Sequence, residues 1–212
     1  MSVEDEKRLA AEAAAELAED GMLVGLGTGS TVAWFLPALA RRGLRLRCVA
    51  TSLQTENAAR ELGLAVEPFD EIERLDLAVD GADQIAPDGW VVKGGGAAHT
   101  REKVAAAAAE RFVVIASSDK LVEAIAPPIP LEILLYGARA TLALAAPAEL
   151  REVAPSPDGG LIADYLGPVD DPYALAERLA AVPGVVEHGL FPPGLVSEFL
   201  IGRGDEVERR TV

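Results

Sequence analysis

MLVGLGTGSTVAW, residues 22–34, decides how the chain is organised. Met22 to Leu26 is a short apolar run suited to a buried strand. Gly27-Thr28-Gly29-Ser30-Thr31 then turns it into a helix expected over about 31–42, with Gly43 behind it as a stop signal. A buried strand that passes through glycines into a helix is the opening unit of a parallel sheet.

The same alternation continues outward. A helix is expected over residues 3–19 before this unit, with Val3, Leu9, Ala10, Ala13 and Leu17 at helical spacing. After it come strands at 44–50, 64–66, 75–79, 90–92 and 112–116, with helices over 53–62 and 99–110. This predicts an α/β fold: a doubly wound, Rossmann-like, mostly parallel sheet. Beyond residue 125 the pattern changes. Ala126-Pro127-Pro128-Ile129-Pro130 breaks it, and a strand is expected at 131–135 and a helix at 137–146. A short polar strand, the turn Pro157-Asp158-Gly159-Gly160, another strand, a helix after Asp171-Pro172 and Val185-Val186 follow. Strand-helix-strand-strand-helix-strand predicts a smaller α+β domain of split-βαβ, ferredoxin-like type. Leu195 to Ile201 is expected to rejoin the large sheet. The expected division is therefore residues 1–126 with 195–212 as the large Rossmann-like domain, and 127–194 as the small α+β domain.

Composition excludes several classes. The 212 residues can bury a full-sized core, which with only 5% aromatics must be built from Ala, Leu and Val. A net charge of −15 argues against a nucleic-acid partner and against a polybasic membrane anchor. The single cysteine, Cys48, excludes an intrachain disulfide and a cysteine metal cluster. The acidic start (Glu4, Asp5, Glu6) is not a signal peptide, and no run of about 18 apolar residues exists, so a cytoplasmic protein is expected. Only four lysines stand among many arginines: Lys7, Lys93, Lys103 and Lys120. Each is a candidate for compact point-charge work that arginine does poorly.

Three polar clusters follow expected strands, where ligands bind in open α/β sheets. In Gly25 to Thr31, glycines allow close backbone approach, and Ser30 and Thr31 at a helix start make an anion site. The spacing is G-x-G-x-G, and the second strand ends Cys48-Val49-Ala50-Thr51 without the acidic residue a dinucleotide ribose needs. A phosphate monoester fits better than a nucleotide, and a glycine-rich turn capped by Ser30 explains the stretch equally well. Asp80-Gly81-Ala82-Asp83 could hold sugar hydroxyls or a metal, or form an exposed turn; nearby histidine or cysteine ligands are lacking. Lys93-Gly94-Gly95-Gly96 places a lysine and three conformationally costly glycines just before Arg101-Glu102-Lys103. Together, an anion cradle, a carboxylate pair, a lysine and a carboxylate base suit proton abstraction beside a carbonyl in a phosphorylated sugar.

At these residues the sequence resembles the ribose-5-phosphate isomerase family of type A. Gly25 to Thr31, Asp80 to Asp83, Lys93 to Gly96 and Arg101 to Lys103 match its motifs in order and spacing. The match continues through Ser118-Asp119-Lys120, residues 130–133 and residues 183–191. The resemblance implies interconversion of ribose 5-phosphate and ribulose 5-phosphate through an enediolate, without cofactor or metal, in the non-oxidative pentose phosphate pathway. It implies Glu102 as the base, Asp80 and Asp83 on the sugar oxygens, and Lys93 against developing negative charge. Lys7 with Thr28, Gly29, Ser30 and Thr31 would take the phosphate, and Gly81, Ala82, Gly94, Gly95, Gly96 and Lys120 would line the substrate. It also implies a homodimer or homotetramer, with residues 1–126 and 195–212 as the catalytic domain and 127–194 as a lid or oligomerisation domain. Gln84 stands where the family has Glu, His99 where an apolar residue is commoner, and residues 156–160 follow the family's turn only loosely. His99 is expected to be partly exposed at the helix start, and His188 structural. The runner-up is a sugar-phosphate sensor domain, which would ordinarily accompany a DNA-binding module. A third reading is an amino-sugar phosphate deaminase, in which the spacing from Lys93 to Glu102 is not expected.

Overall fold

A computed structural model of the chain describes residues 2–211. The chain opens with α1 (Val3–Ala15), β1 (Leu23–Leu26), α2 (Val32–Arg41), β2 (Arg47–Ala50), α3 (Leu53–Glu61) and β3 (Ala65–Val66). Next come β4 (Leu77–Asp80), β5 (Gln84–Ile85), β6 (Val91–Val92), α4 (His99–Ala108) and β7 (Phe112–Ser117). Then follow β8 (Ile129–Ile133), α5 (Ala138–Leu144), β9 (Ala148–Leu150), β10 (Leu161–Tyr165), α6 (Pro172–Ala180) and β11 (Val185–His188). The last strands are β12 (Leu190–Phe191), β13 (Glu198–Arg203) and β14 (Glu206–Thr211). No helix among the described residues is long and apolar enough to cross a membrane.

Contacts divide the chain into two units. The first comprises the described residues of Met1–Ala82, Arg101–Lys120 and Gly194–Val212; the second comprises Asp83–Thr100 and Leu121–Pro193. The first holds a seven-stranded sheet in the order β14-β13-β7-β4-β1-β2-β3. All its pairings are parallel except the β13–β14 hairpin at the edge. Chain order reverses between β1 and β4, the switch point where a crevice opens at the carboxyl ends of the strands. Small residues let α1 press onto this sheet. Ala10, Ala11, Ala14 and Ala15 are buried in the core with Val24, Leu26, Phe35, Leu39 and Leu200. A Cβ at Gly202 of β13 would overlap the backbone carbonyl of Glu6.

The second unit holds a four-stranded antiparallel sheet in the order β11-β8-β10-β9 and a three-stranded sheet in the order β12-β6-β5. Read from β8, the larger sheet is first strand, helix, second and third strands, helix and fourth strand, which is the split-βαβ arrangement. Its core gathers Ile129, Leu131, Ile133, Ala163, Leu175 and Leu179.

Three differences from the sequence reading have physical causes. The strand expected at 131–135 runs Ile129–Ile133, because Ile129, Leu131 and Ile133 face the core while Leu134 and Leu135 are exposed. Pro130 sits inside it without an N–H to give, and its carbonyl accepts from Gly189 N at 2.7 Å. The strand ending before Lys93 is paired in the small three-stranded sheet, so Lys93 does not lie at the edge of the parallel sheet as expected. Finally, β14 turns back at Gly204 (φ 60°) and closes the sheet edge, a hairpin that the expected return strand did not include.

Candidate active site

In the first unit the Gly27–Thr31 loop leaves β1 beside the end of β4. Asp80 closes β4 and is 3% exposed. Its Oδ1 accepts from Thr28 N at 3.1 Å and from Gly81 N at 2.7 Å. A Cβ at Gly27 would overlap the Asp80 carboxyl group, so only glycine lets the loop cross there. Gly29 has φ 129°, a conformation that favours glycine, and it delivers the chain into α2. Gly29 and Ser30 are exposed while Thr31 is buried.

Hydroxyls fix this loop from the β2 side. Thr28 Oγ1 lies 2.8 Å from Thr51 Oγ1 and donates to Ser52 Oγ at 2.9 Å. Thr55 Oγ1 donates to the Gly27 carbonyl at 2.9 Å, and Thr51 Oγ1 to that of Leu26 at 3.3 Å. The Thr28 hydroxyl is thus turned toward its neighbours' hydroxyls, which leaves the loop amides and Ser30 as its outward donors. Thr51, Ser52 and Thr55 are polar-site residues missing from the sequence reading. Their signal was present, since they follow β2 at its carboxyl end.

Three of the four lysines, Lys7, Lys103 and Lys120, belong to the same unit. Lys7 on α1 pairs with Glu4 at 2.6 Å, and Glu4 also accepts from Trp34 Nε1 in the first turn of α2 at 3.0 Å. These two hydrogen bonds, first that from Lys7, hold the Glu4 carboxyl below the ordinary range. Lys120 ends the short 3₁₀ turn Ser118–Lys120 after β7, 3.6 Å from Asp119. The buried carboxylate of Glu6 ties α1 to this turn. It accepts from Ser118 N at 2.9 Å, Ser118 Oγ at 2.7 Å and Gly204 N at 2.9 Å. The Gly204 amide, then Ser118, keeps its carboxyl below the usual value. Glu102 lies in the first turn of α4 and is 3% exposed. Gly81 and Ala82 complete the candidate residues on this unit, and a Cβ at Gly81 would make ordinary contact with the Ile115 carbonyl and the Thr31 side chain.

The second unit carries the remaining candidates. Lys93 is 3% exposed, with Nζ 5.7 Å from the Phe191 ring centroid. Gly94 has φ 116°, and a Cβ there would come 2.8 Å from His99 Nδ1 and 2.7 Å from the Pro130 side chain. Asp83, exposed, accepts from Gly95 N at 2.8 Å. Arg151 donates to the Gly94 carbonyl at 3.0 Å. Gln84 makes a two-way clasp with Ala126, donating to its carbonyl at 2.7 Å and accepting from its N–H at 2.9 Å. A glutamate cannot donate, so an amide suits this position. His99 is fully buried, not partly exposed as expected. Its ring packs beneath Gly94, with Nε2 3.3 Å from the Glu187 carbonyl. In His188, Nδ1 accepts from Leu190 N at 3.3 Å. Glu132 is buried in the centre of the four-stranded sheet. It accepts from Thr100 Oγ1 at the start of α4 and from Ser156 Oγ in the 156–160 turn. Arg151 carries no local sequence signal, its partners Asp164 and Gly94 lying 13 and 57 residues away, and Glu132, although inside the matched stretch 130–133, finds its partners 24 and 32 residues away.

Among the described residues no group of three or more His, Cys, Asp or Glu is placed to hold a metal ion. The first unit offers a backbone anion cradle and buried carboxylates at Asp80 and Glu102, and the second, by itself, a buried ammonium at Lys93. These parts suit acid–base chemistry on a phosphorylated hydroxy-carbonyl compound.

The chain is similar to known proteins. The family model of ribose 5-phosphate isomerase A (phosphoriboisomerase A) matches residues 47–206. The ribose-5-phosphate isomerase A of Caulobacter vibrioides (strain NA1000 / CB15N) is 47% identical over 225 residues, covering 99% of each chain. The structure of ribose 5-phosphate isomerase A from Methanocaldococcus jannaschii superposes with a TM-score of 0.93 at 32% identity, over the whole of both chains. A D-ribose-5-phosphate isomerase in complex with phospho-erythronic acid matches equally fully, with a TM-score of 0.92 and 32% identity. With motifs, fold and full-length similarity in agreement, the chain belongs to the ribose 5-phosphate isomerase A family.

Proposed function

We propose that this chain interconverts D-ribose 5-phosphate and D-ribulose 5-phosphate, with Glu102 moving the proton between C2 and C1. The observation that carries the assignment of roles is the burial of Asp80, Lys93 and Glu102, each 3% exposed. Charged side chains are seldom buried without a task. From the open-chain aldose, the Glu102 carboxylate takes the C2 proton as electrons move onto the C1 oxygen, giving the enediolate. The same carboxyl group returns the proton to C1, while the O2 proton passes to O1, leaving the ketone at C2. No atom is gained or lost, and no electron acceptor is needed.

Lys93 lowers the barrier by meeting charge as it builds on oxygen, an interaction stronger in the transition state than in the ground state. Asp80 and Asp83 hold the sugar oxygens. The amides of Gly29, Ser30 and Thr31 and the Ser30 hydroxyl, with Lys7, take the phosphate, and Lys120 adds a further contact. The complex of a related isomerase with phospho-erythronic acid supports this reading. An aldonic acid phosphate presents a planar carboxylate in the shape and charge of an enediolate. We further assign the protein a cytoplasmic setting and a homodimeric or homotetrameric assembly involving residues 127–194. Leu135 and Tyr136, 71% and 93% exposed, are the apolar surface such an assembly would cover.

The experiment is a coupled assay of ribose 5-phosphate conversion with chelator-treated protein, beside the Glu102→Gln variant. Turnover is expected without metal, and the variant should lose about 1,000-fold in kcat while still binding substrate. Near-normal turnover by Glu102→Gln would remove it as the base. Binding without turnover by the unaltered chain would favour a sensor.

A further inference from the structure

Arg151 stands just beyond β9, the edge strand of the four-stranded sheet, and none of the roles above uses it. Its guanidinium grips Asp164 on β10 with two donors: Nε donates to Oδ2 at 2.9 Å, and Nη2 to Oδ1. That fork fixes the plane of the guanidinium. The remaining nitrogen, Nη1, donates to the Gly94 carbonyl at 3.0 Å and reaches the Gly95 carbonyl at 3.4 Å.

The Gly94 carbonyl and the Gly95 N–H are two ends of one peptide group. In a trans peptide they point in opposite directions. Arg151 therefore takes the oxygen end while Asp83 takes the hydrogen end at 2.8 Å. A peptide between two glycines rotates easily, because neither neighbour has a Cβ to restrict it. Left alone, this one could turn over and direct its carbonyl at the Asp83 carboxylate, oxygen against oxygen. Arg151 opposes that rotation from the side of another strand, alongside the Ala97 N–H, which donates to the same Gly94 carbonyl at 3.1 Å.

We propose that Arg151 is a positioning residue for isomerisation, pinning the Gly94–Gly95 peptide so that its N–H holds the Asp83 carboxylate in its working orientation. The peptide dipole then runs from a cation at its oxygen end to an anion at its hydrogen end, so each group strengthens the other's hold. The inference rests on the reading of Asp83 and of Gly94 to Gly96 as substrate-contacting. It goes beyond that reading in assigning control of their geometry to a side chain more than fifty residues away.

The test compares Arg151→Ala, Arg151→Lys and Asp164→Asn in steady-state kinetics on ribose 5-phosphate. Arg151→Ala should lose up to about 100-fold in kcat, the scale of misplacement by roughly an ångström. Lysine should rescue little, since it cannot grip Asp164 and the carbonyl together. Asp164→Asn should fall between, and added guanidinium ion should restore part of the Arg151→Ala rate. In an Asp83→Asn background the further loss from Arg151→Ala should shrink to less than about threefold, because coupled residues are not additive. Hydrogen exchange at the Gly95 amide reads the same device without substrate: its protection should fall in Arg151→Ala and hold in Lys7→Ala. Unchanged Gly95 protection in a folded Arg151→Ala protein overturns the proposal, as does an undiminished Arg151 effect in the Asp83→Asn background. If Asp83→Asn alone keeps full activity, the role given to Asp83 fails separately, and the amide measurement still decides the pinning.

Discussion

Two glycine-rich loops leave a strand and enter a helix, Gly27–Thr31 in the first unit and Gly94–Ala98 in the second, each with an aspartate beside it. Around Gly27 the aspartate is buried, the strands are central, and the partners come from the end of β4 and the first turn of α3. Around Gly95 the aspartate is exposed, the preceding strand lies in a three-stranded antiparallel sheet, and the opposing cation comes from another sheet. One local sequence pattern therefore served two different supports. A glycine run says that the backbone must be bare; it does not say what holds the backbone still.

The largest effect should separate the two loops directly. In Gly27→Ala the new methyl group overlaps the buried Asp80 carboxyl, and neither β1 nor β4 can yield without disturbing the sheet. Overpacking of this kind costs about 1–3 kcal/mol or more. Turnover should fall by about 100-fold as Asp80 is displaced. In Gly95→Ala the methyl group meets Asp83 Oδ1 at 2.8 Å, the far end of an exposed side chain that can swing aside. Stability should change by less than about 1 kcal/mol, with a smaller loss of activity. Thermal melting and ribose 5-phosphate turnover, measured on both variants, check the contrast; equal melting temperatures would remove it.

A smaller effect should follow from the aspartates. Asp80→Asn keeps an oxygen that accepts from the Thr28 and Gly81 amides but loses the charge that strengthens both bonds. About 1–2 kcal/mol of stability is expected to go with it. Asp83→Asn, with one amide partner at an exposed position, should cost less than about 0.5 kcal/mol. Denaturant unfolding gives both values. A larger stability loss for Asp83→Asn would mean that the second loop supports its unit more than its exposure suggests.

The contrast also explains what the sequence disclosed. Residues 22–31 announced β1, its loop and α2, because strand, glycine turn and helix follow one another and each signal is local. The four-stranded sheet was legible for the same reason, through its regular succession of apolar runs and turns. Pairing partners were not local. Val91-Val92 reads as a buried strand in any sheet, and only its bonds to β5 and β12 place it in the small antiparallel one. The Glu6 and Arg151 contacts span 112 and 57 residues respectively, beyond any motif window. His99 was misjudged because helix-start position suggests solvent, whereas the bare Gly94 above it leaves a space that the ring fills.

A further effect concerns pH, and it belongs to the first unit. Glu6 holds the turns after β7 and β13 through two backbone amides and a hydroxyl, whereas buried Glu132 of the second unit is held by the hydroxyls of Thr100 and Ser156. The Glu6 carboxyl is depressed in the folded chain from an ordinary value of 4.5, chiefly by the Gly204 amide and then by Ser118. A carboxyl depressed by folding stabilises the fold fully above its unfolded value, and that contribution drains away as pH falls through the lower folded value. From pH 7 to 5 Glu6 therefore adds a constant amount, and the loss begins only near pH 4.5. Glu6→Gln should be less stable by about 1–3 kcal/mol at neutral pH. The gap to the unaltered chain should then narrow as the medium is acidified below that point. Unfolding titrations of both proteins between pH 7 and 3 check it. A gap that stayed constant throughout would show that Glu6 acts by packing and not by its charge.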